Sequence, residues 1–456
     1  MEAVVLLESS QLFEIKPIIE LIYKVFKDEG YEIFVVGGCL RDLLLGHLPH
    51  DWDFATSALP DEMIQIAEKY KFKYYELGKK HGTIAYLIED DIFEITTFRK
   101  EVAYTNFRFP SAVNFVKQIQ EDLERRDFTI NALAYAPLQG IIDLYGGAED
   151  LNSKIIRAVG DPEKRFNEDA LRMLRAIRFS CQLDFKIEHE TYDAIKKLSG
   201  NLQYISCERI QSEFNKILLT DKAVDGVRIL VDTGLIDYIV PELKATVGFN
   251  QQTPYHDKTV FEHILAVMSH TPAVLELRLA ALLHDIQKPQ SFSLDEKGVG
   301  HFYGHEKKGA QVAIEILRRL KYPEQVIEHV SLLINYHMLH FDEKTSDKAI
   351  KRAVEKIKPL DFLALLELEK ADILGTALPN RAEALNEIQK RYQAMIEDNQ
   401  AFGIKDLAIN GRDLMALGVQ QGPRIGQILE LLLDFVLDFP EKNHRATLLD
   451  EAKKYL

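Results

Sequence analysis

Cysteine is scarce and scattered, with only Cys39, Cys181 and Cys207 in a chain of 456 residues. An odd number of widely separated cysteines argues against a disulfide framework and for a reducing compartment, the cytoplasm. No Cys-x-x-Cys pair offers a thiolate zinc site. No apolar run reaches the ~20 residues that a bilayer-spanning helix needs, so no membrane partner is expected. The opening Met1-Glu2-Ala3-Val4 lacks the basic start of a signal peptide. Low-complexity segments and clear internal repeats are absent. Positive charge is also in deficit: 56 Lys and Arg face 71 Asp and Glu, for a net charge of −15. Taken alone this argues against a nucleic-acid partner. Binding depends on local charge, however, and Arg125, Arg126, Arg172, Arg175 and Arg178 form two local concentrations.

The length leaves room for roughly two to four domains and a large core. A hydrophobic content of 46% and a charged content of 28% are those of an ordinary globular protein. Helix and strand signals alternate over residues 1–150. A helix is expected at 16–29, a short apolar strand at Ile33 to Val36, a helix opening at Arg41, and a second strand from Asp51 to Ala55. Ile84 to Ile88 and Ile92 to Thr97 read as a hairpin with Asp90-Asp91 in its turn. From about residue 160 helical periodicity takes over, with helices expected at 167–180, 190–198, 207–219, 222–233, 260–270, 276–284, 306–320, 323–336, 346–357, 359–373 and 381–397. A last long helix starts at Gly422-Pro423, with Pro in its first turn. There Glu430, Asp434 and Asp438 recur every fourth residue, an acidic stripe expected to be a solvated face. The expected fold is α+β: a small mixed α/β head over 1–150, then an all-α neck (151–225), body (226–400) and tail (401–456).

Chemistry concentrates in the head. Asp51 and Asp53 are two residues apart, so on a strand they share one face and offer oxygen ligands for Mg²⁺. Two metals held this way can steer in-line attack on an α-phosphate. Gly37-Gly38 lets the backbone approach a triphosphate closely, and Arg41 follows on the next turn, where a guanidinium can pair with phosphate oxygens. Arg125-Arg126-Asp127-Phe128-Thr129-Ile130-Asn131 leads into an apolar, β-rich segment, which puts Arg126 at an element edge; the alternative is a surface ion-pair cluster. In Glu168-Asp169-Ala170-Leu171-Arg172, a helix would place Asp169 and Arg172 on one face, with Arg175 and Arg178 extending a basic stripe. An intrahelical ion pair with a solvated arginine face would produce the same spacing.

Gly-Gly-x-x-Arg-Asp, Asp-x-Asp, Arg-Arg-Asp-Phe-Thr-x-Asn-Ala and Glu-Asp-x-x-Arg stand in this order over the first 220 residues. Together they resemble the signature of the class II tRNA nucleotidyltransferases and bacterial poly(A) polymerases, within the DNA polymerase beta superfamily. The resemblance implies a polymerase-beta-like head in which Asp51 and Asp53 hold Mg²⁺ and Gly37, Gly38, Arg41 and Arg126 meet the incoming nucleotide. It implies that Asp169 and Arg172 form an amino-acid template for the Watson–Crick edge of CTP or ATP, with Arg175 and Arg178 completing the nucleotide site. A carboxylate and a guanidinium can satisfy both of those edges and mismatch GTP and UTP. Glu94 is a candidate third carboxylate on a neighbouring strand. Asn106 departs from the family pattern, which carries an acidic residue near that position. The implied activity is addition or repair of the 3′-terminal CCA of tRNA. Alternatives are an A-adding enzyme that finishes the tRNA-CC ends of a separate CC-adding partner, a poly(A) polymerase, or a noncatalytic tRNA-binding module.

The body holds a second constellation. Nine of the chain's 14 histidines fall within residues 256–340, a density that favours a metal site. The order His263, His284-Asp285, His305, His337, Asp372 resembles the HD phosphohydrolases. The resemblance implies His263, His284, Asp285 and Asp372 as ligands of a divalent metal, with His305 and His337 extending the site to a second one. Substrates would be phosphomonoesters or 2′,3′-cyclic phosphates. Gln287, where such sequences carry glycine, leaves open an HD-type body kept for tRNA binding without turnover.

Overall fold

The computed structural model describes residues 17–49, 51–105, 109–253, 258–376 and 382–456. The Met1 start, the Asn106 position and the Tyr255-His256-Asp257 step lie outside them. The chain divides into two compact units, Met1–Pro241 and Glu242–Leu456. No helix among the described residues is long and apolar enough to cross a membrane, and the three cysteines are free.

The first unit opens with α1 (Pro17–Asp28), which buries Ile19, Ile22, Tyr23, Val25 and Phe26 at helical spacing. It packs on β1 (Ile33–Val36), a strand buried along its whole length. Gly37 then takes φ 79° and ψ −138°, a conformation open in practice only to glycine. That turn starts α2 (Gly38–Leu44) three residues before the expected Arg41. Next come β2 (Trp52–Thr56), α3 (Pro60–Tyr70), β3 (Lys73–Gly78), β4 (Thr83–Ile88) and β5 (Asp91–Thr97). The hairpin of β6 (Arg99–Thr105) and β7 (Phe109–Phe115) follows, and then α4 (Ile119–Glu124), β8 (Leu133–Ala136), β9 (Gly140–Asp143) and α5 (Gly147–Ser153). Seven strands form one sheet in the order β3-β4-β5-β2-β1-β8-β9. Only β2 and β5 run parallel in it. The β4–β5 hairpin pairs Ile88 with Asp91, so its turn is Glu89-Asp90, one residue earlier than expected, with Glu89 at φ 56°.

Alternation along β2 and β5 sorts the side chains. Trp52, Phe54, Phe93 and Ile95 are buried in the head core, with Phe54 edge-on to Phe93 at 6.2 Å. Asp51, Asp53 and Glu94 occupy the alternate positions and are exposed. A one-residue slip of β2 would bury the aspartates and expose the aromatics, so the apolar face pins the register.

Helices complete this unit: α6 (Pro162–Glu168), α7 (Leu171–Leu183), α8 (His189–Leu198), α9 (Cys207–Leu218) and α10 (Ala223–Asp232). The single helix expected over 167–180 is two. Asp169 is extended at φ −142° and ψ 107°, and its side chain accepts a hydrogen bond from the Leu171 amide at 3.0 Å. A short acidic side chain that satisfies a free helix amide competes with helix continuation and caps the next one.

The second unit is almost wholly helical: α11 (Val260–His270), α12 (Leu275–Leu283), α13 (His305–Arg319), α14 (Glu324–Tyr336), α15 (Asp347–Ile357), α16 (Pro359–Gly375), α17 (Ala382–Glu397), α18 (Gly411–Ala416), α19 (Pro423–Asp438) and α20 (Arg445–Ala452). The acidic stripe of α19 is half-exposed, as expected of a solvated face, and it is also paired. Asp434 pairs with Arg352 at 2.7 Å and Lys348 at 3.3 Å, Asp438 with Lys348 at 2.7 Å, and Glu430 with Arg352 at 3.6 Å. Between these pairs Lys351, 1% exposed, donates from Nζ to the Leu437 carbonyl at 3.3 Å. That carbonyl lies in the last turn of α19, where the helix dipole favours a cation. The stripe is therefore a docking seam for α15. A double-mutant cycle of Arg352→Ala and Asp434→Ala in urea unfolding is expected to return a coupling of about 0.5 kcal/mol that shrinks at high salt. Zero coupling at low salt would leave the stripe a solvated face only.

Candidate active site

The parallel pairing of β2 with β5 sets Asp53 directly opposite Glu94. With Asp51 two residues earlier, three carboxylates gather on the open face of the sheet. Desolvation, then the Glu94 charge and more weakly that of Asp51, push the Asp53 carboxyl above its usual range, while Arg126 opposes the shift. A divalent cation would relieve this repulsion, and an all-oxygen donor set suits Mg²⁺. Gly37 lies against the same group. A Cβ there would stand 2.9 Å from Nη1 of Arg126 and 3.8 Å from Oδ2 of Asp53. The glycine thus admits Arg126 to the carboxylates.

Arg126 is part of a connected network rather than a surface cluster. Asp122, 1% exposed, takes Arg125 at 2.7 Å and Arg126 at 3.2 Å. Arg41 donates from Nη1 to Asn131 Oδ1 at 3.0 Å, and Asn131 donates from Nδ2 to Asp127 Oδ1 at 3.2 Å. The other oxygen of Asp127 accepts from Arg175 Nε at 2.7 Å. Burial alone would raise the Asp127 carboxyl, but Arg175 and Arg172 outweigh it and hold it at about 2. Arg178 pairs with Glu213 at 2.9 Å.

Asp169 and Arg172 do not pair with each other. Arg172 binds Glu168 at 2.8 Å and donates to the Arg125 carbonyl at 2.9 Å. Asp169 is gripped by Arg209 of α9, at 2.7 Å on one oxygen and 3.4 Å on the other. Neither the intrahelical pair nor the solvated stripe describes these arginines, because each is anchored by a neighbouring carboxylate. Asp127, Asn131, Glu168, Arg209 and Glu213 went unnoticed as site residues in the sequence. Asp127, Asn131 and Glu168 stand inside the quoted motifs, whereas Arg209 and Glu213 offer only an i, i+4 spacing on one face of an amphipathic helix.

In the second unit the expected residues converge. His263 Nε2 lies 2.9 Å from Asp372 and 3.3 Å from Asp285, and His284 Nε2 lies 3.2 Å from Asp285. On the other Asp285 oxygen stand His305 Nε2 at 3.3 Å and His337 Nε2 at 3.9 Å. Asp285 thus joins two ligand groups, His263-His284-Asp285 and Asp285-His305-His337, all buried, each with its donor atoms within 4.8 Å of one another. The rings are oriented from behind. Nδ1 of His284, His305 and His337 lies 2.9, 2.7 and 2.6 Å from the carbonyls of Ala281, Phe302 and Ile334. A carbonyl only accepts, so each Nδ1 is the donor and each Nε2 faces the cluster. Burial, with the charge of His284, drives the His337 imidazole down to about 3, which keeps it neutral. These donors fit a divalent metal. Lys288, missed in the sequence, lies 2.7 Å from Asp285, and Gln251 accepts from it at 3.1 Å. His301 stands apart, bonded to Asp295 at 3.1 Å.

The Asp127 shift has a consequence for acid stability. A carboxyl held below its unfolded value stabilises the fold above about pH 4 and loses that contribution as pH falls through about 2. Asp127→Asn is expected to lower stability at neutral pH by about 2 kcal/mol or more and to flatten urea stability between those pH values. An unchanged slope would sink the assignment.

Three family models match along the chain. Residues 33–157 match the family model described as "Poly A polymerase head domain", residues 184–246 that of "Probable RNA and SrmB- binding site of polymerase A", and residues 306–452 that of "tRNA nucleotidyltransferase domain 2 putative". The chain is 35% identical to a CCA-adding enzyme of Lactobacillus helveticus, over 95% of each chain. It is 36% identical to one of Levilactobacillus brevis, over 90% of each. Among solved structures, the Bacillus stearothermophilus CCA-adding enzyme in complex with CTP matches with a TM-score of 0.72 at 28% identity, covering 96% of this chain and 98% of that one. Near-full-length identity above the threshold of chance and a shared fold give one conclusion: this chain belongs to the family of CCA-adding enzymes.

Proposed function

We propose that this protein adds or repairs the 3′-terminal CCA of tRNA in the cytoplasm, using CTP and ATP. The observation that carries the reading is the register of β2 and β5, which lines Asp53 up with Glu94 beside Asp51 and leaves Arg126 and Gly37 at the same point. Asp51 and Asp53, with Glu94 in support, would hold Mg²⁺, which supplies a lowered pKa for the attacking hydroxyl and neutralises the departing pyrophosphate. The 3′-hydroxyl oxygen bonds to the α-phosphorus, the bond to pyrophosphate breaks, and the hydroxyl proton leaves for solvent. Gly37 and Gly38 admit the triphosphate, and Arg41, Arg126, Arg175 and Arg178 orient it. Asp169 accepts from the exocyclic amine of cytosine or adenine, held in place by Arg209, while Arg172 completes the template.

Transcripts of tRNA ending at the discriminator base, at C and at CC, incubated with CTP, ATP or both, test this. Growth of the shortest by three nucleotides with both substrates is expected. Extension of the CC-ended transcript alone, by one A, would replace the reading with an A-adding enzyme that depends on a separate CC-adding partner. Asp51→Ala with Asp53→Ala is expected to cut addition by at least about a hundredfold; addition that survives would overturn the head assignment.

We further infer that the buried cluster around Asp285 binds a divalent metal and hydrolyses phosphomonoesters or 2′,3′-cyclic phosphates. Three rings fixed from behind by backbone carbonyls support this. A bound metal would supply an activated water, and the protein's part would be to hold imidazoles oriented by the backbone, and the Asp285 carboxylate that they share, around it. Chelator-treated protein titrated with Mn²⁺ is expected to show a higher Tm on metal return, with the rise lost in Asp285→Asn. No bound metal and no Tm response would leave an HD-type body used for tRNA binding alone.

A further inference from the structure

Three guanidinium groups converge on one ring. The central carbons of Arg178, Arg41 and Arg175 lie 4.1, 5.1 and 5.3 Å from the centroid of Phe179. Arg41 comes from the turn after the glycine pair, whereas Arg175 and Arg178 come from α7, which also carries Phe179. The ring is buried, 5% exposed, and Phe128 meets it edge-on at 5.8 Å and 81°.

Three like charges around one point repel, and the repulsion grows as water is excluded. Their carboxylate partners are Asp42, Asp127 and Glu213, one for each arginine. These partners offset charge but pull in different directions. The ring supplies what they do not: an electron-rich π-face that attracts cations at this range and a rigid volume that keeps the guanidiniums apart. The crowding is visible in Arg178, which burial and then the charges of Arg175 and Arg41 hold below its usual pKa in spite of Glu213.

We propose that Phe179 is a positioning residue for nucleotidyl transfer: its ring fixes Arg41 relative to Arg175 and Arg178, so that the three present one preformed site to the phosphates of the incoming nucleoside triphosphate. The proposal rests on the nucleotide reading of this site. Preorganised cations cost no rearrangement when the anion arrives. Each arginine is already bonded to its carboxylate, so without the ring what is lost is the wall that sets the spacing of the three, and nucleotide binding must then order groups that the native site already holds in place.

The test uses the full-length protein with tRNA transcripts. Wild-type CTP binding by calorimetry, together with turnover, first secures the nucleotide reading; wild-type protein that binds no CTP overturns both. Phe179→Leu and Phe179→Met remove the π-face while keeping an apolar side chain, and Phe179→Tyr keeps the face. The expected result is a KM for CTP and for ATP about tenfold higher in the Leu and Met variants, with kcat within about twofold and wild-type KM in the Tyr variant; a tenfold change is the scale of one desolvated cation–π contact. A merely structural residue would lower the amount of active enzyme and the Tm, with KM unmoved. Unchanged KM in both Leu and Met, or a Tyr variant no better than Leu, would refute the proposal. Using two ring-free variants keeps the result decisive should one of them fail to fold.

Discussion

Asp127 ties the strand-and-turn part of the first unit to its helices. One oxygen accepts from Asn131, which in turn accepts from Arg41 beside the glycine pair, and the other accepts from Arg175 of α7. The carboxylate is buried, and a buried charge is expensive unless its partners replace the water it has lost. Here they do, and its proton affinity falls as a result. Losing one partner would leave the rest uncompensated in a low-dielectric site, so these residues stand or fall together. The glycine turn and α7 therefore hold one relative position within this unit without a disulfide or a large apolar interface between them.

This arrangement also explains how a chain with a net charge of −15 can present cations to an anion. Eight arginines, 41, 125, 126, 165, 172, 175, 178 and 209, are paired with six carboxylates, Asp42, Asp122, Asp127, Glu168, Asp169 and Glu213. Asp51, Asp53 and Glu94 add three more carboxylates beside Arg126, so the spot holds its cations as fixed partners of anions rather than as a net excess. Elsewhere acidic side chains are spent on internal docking, as along α19. Charges more than about one Debye length away are screened in solution, so the placement of these arginines counts for more than the total charge.

Much of this was legible in the sequence, and the failures have a common cause. Period-two and helical patterns placed β1, β2, β5 and nearly every helix from α8 onward, because those patterns report which side is buried. That Asp53 would share a face with Asp51, and that the residues around Asp285 would converge, was legible from their order and spacing in the sequence. What pattern could not supply was pairing. The partner of Asp169 is Arg209, 40 residues on, and those of Asp434 are Lys348 and Arg352, more than 80 residues before it. An acidic stripe that is solvated and one that docks a basic helix have the same spacing. The break at Asp169 was hidden for a related reason: a side chain that caps a helix looks, in sequence, like one within it. α3, β3, β8 and β9 were missed because short or half-exposed elements leave weak periodicity.

The two clusters of acidic ligands call on opposite physics. Asp51, Asp53 and Glu94 are exposed, as a site must be if substrate phosphates and water are to complete the shell of a hard cation such as Mg²⁺. Around Asp285 the ligands are shut away from solvent, the histidine and Asp285 side chains being no more than 4% exposed. Such a site must bring nearly all of its own donors, and it does so with imidazoles fixed by the backbone. An open oxygen set would suit a hard cation that keeps water and outside ligands, whereas a closed nitrogen-rich set would suit a transition metal held by the protein alone. The difference lies in burial and in donor type together: aspartate serves in both, but only the buried set adds imidazoles.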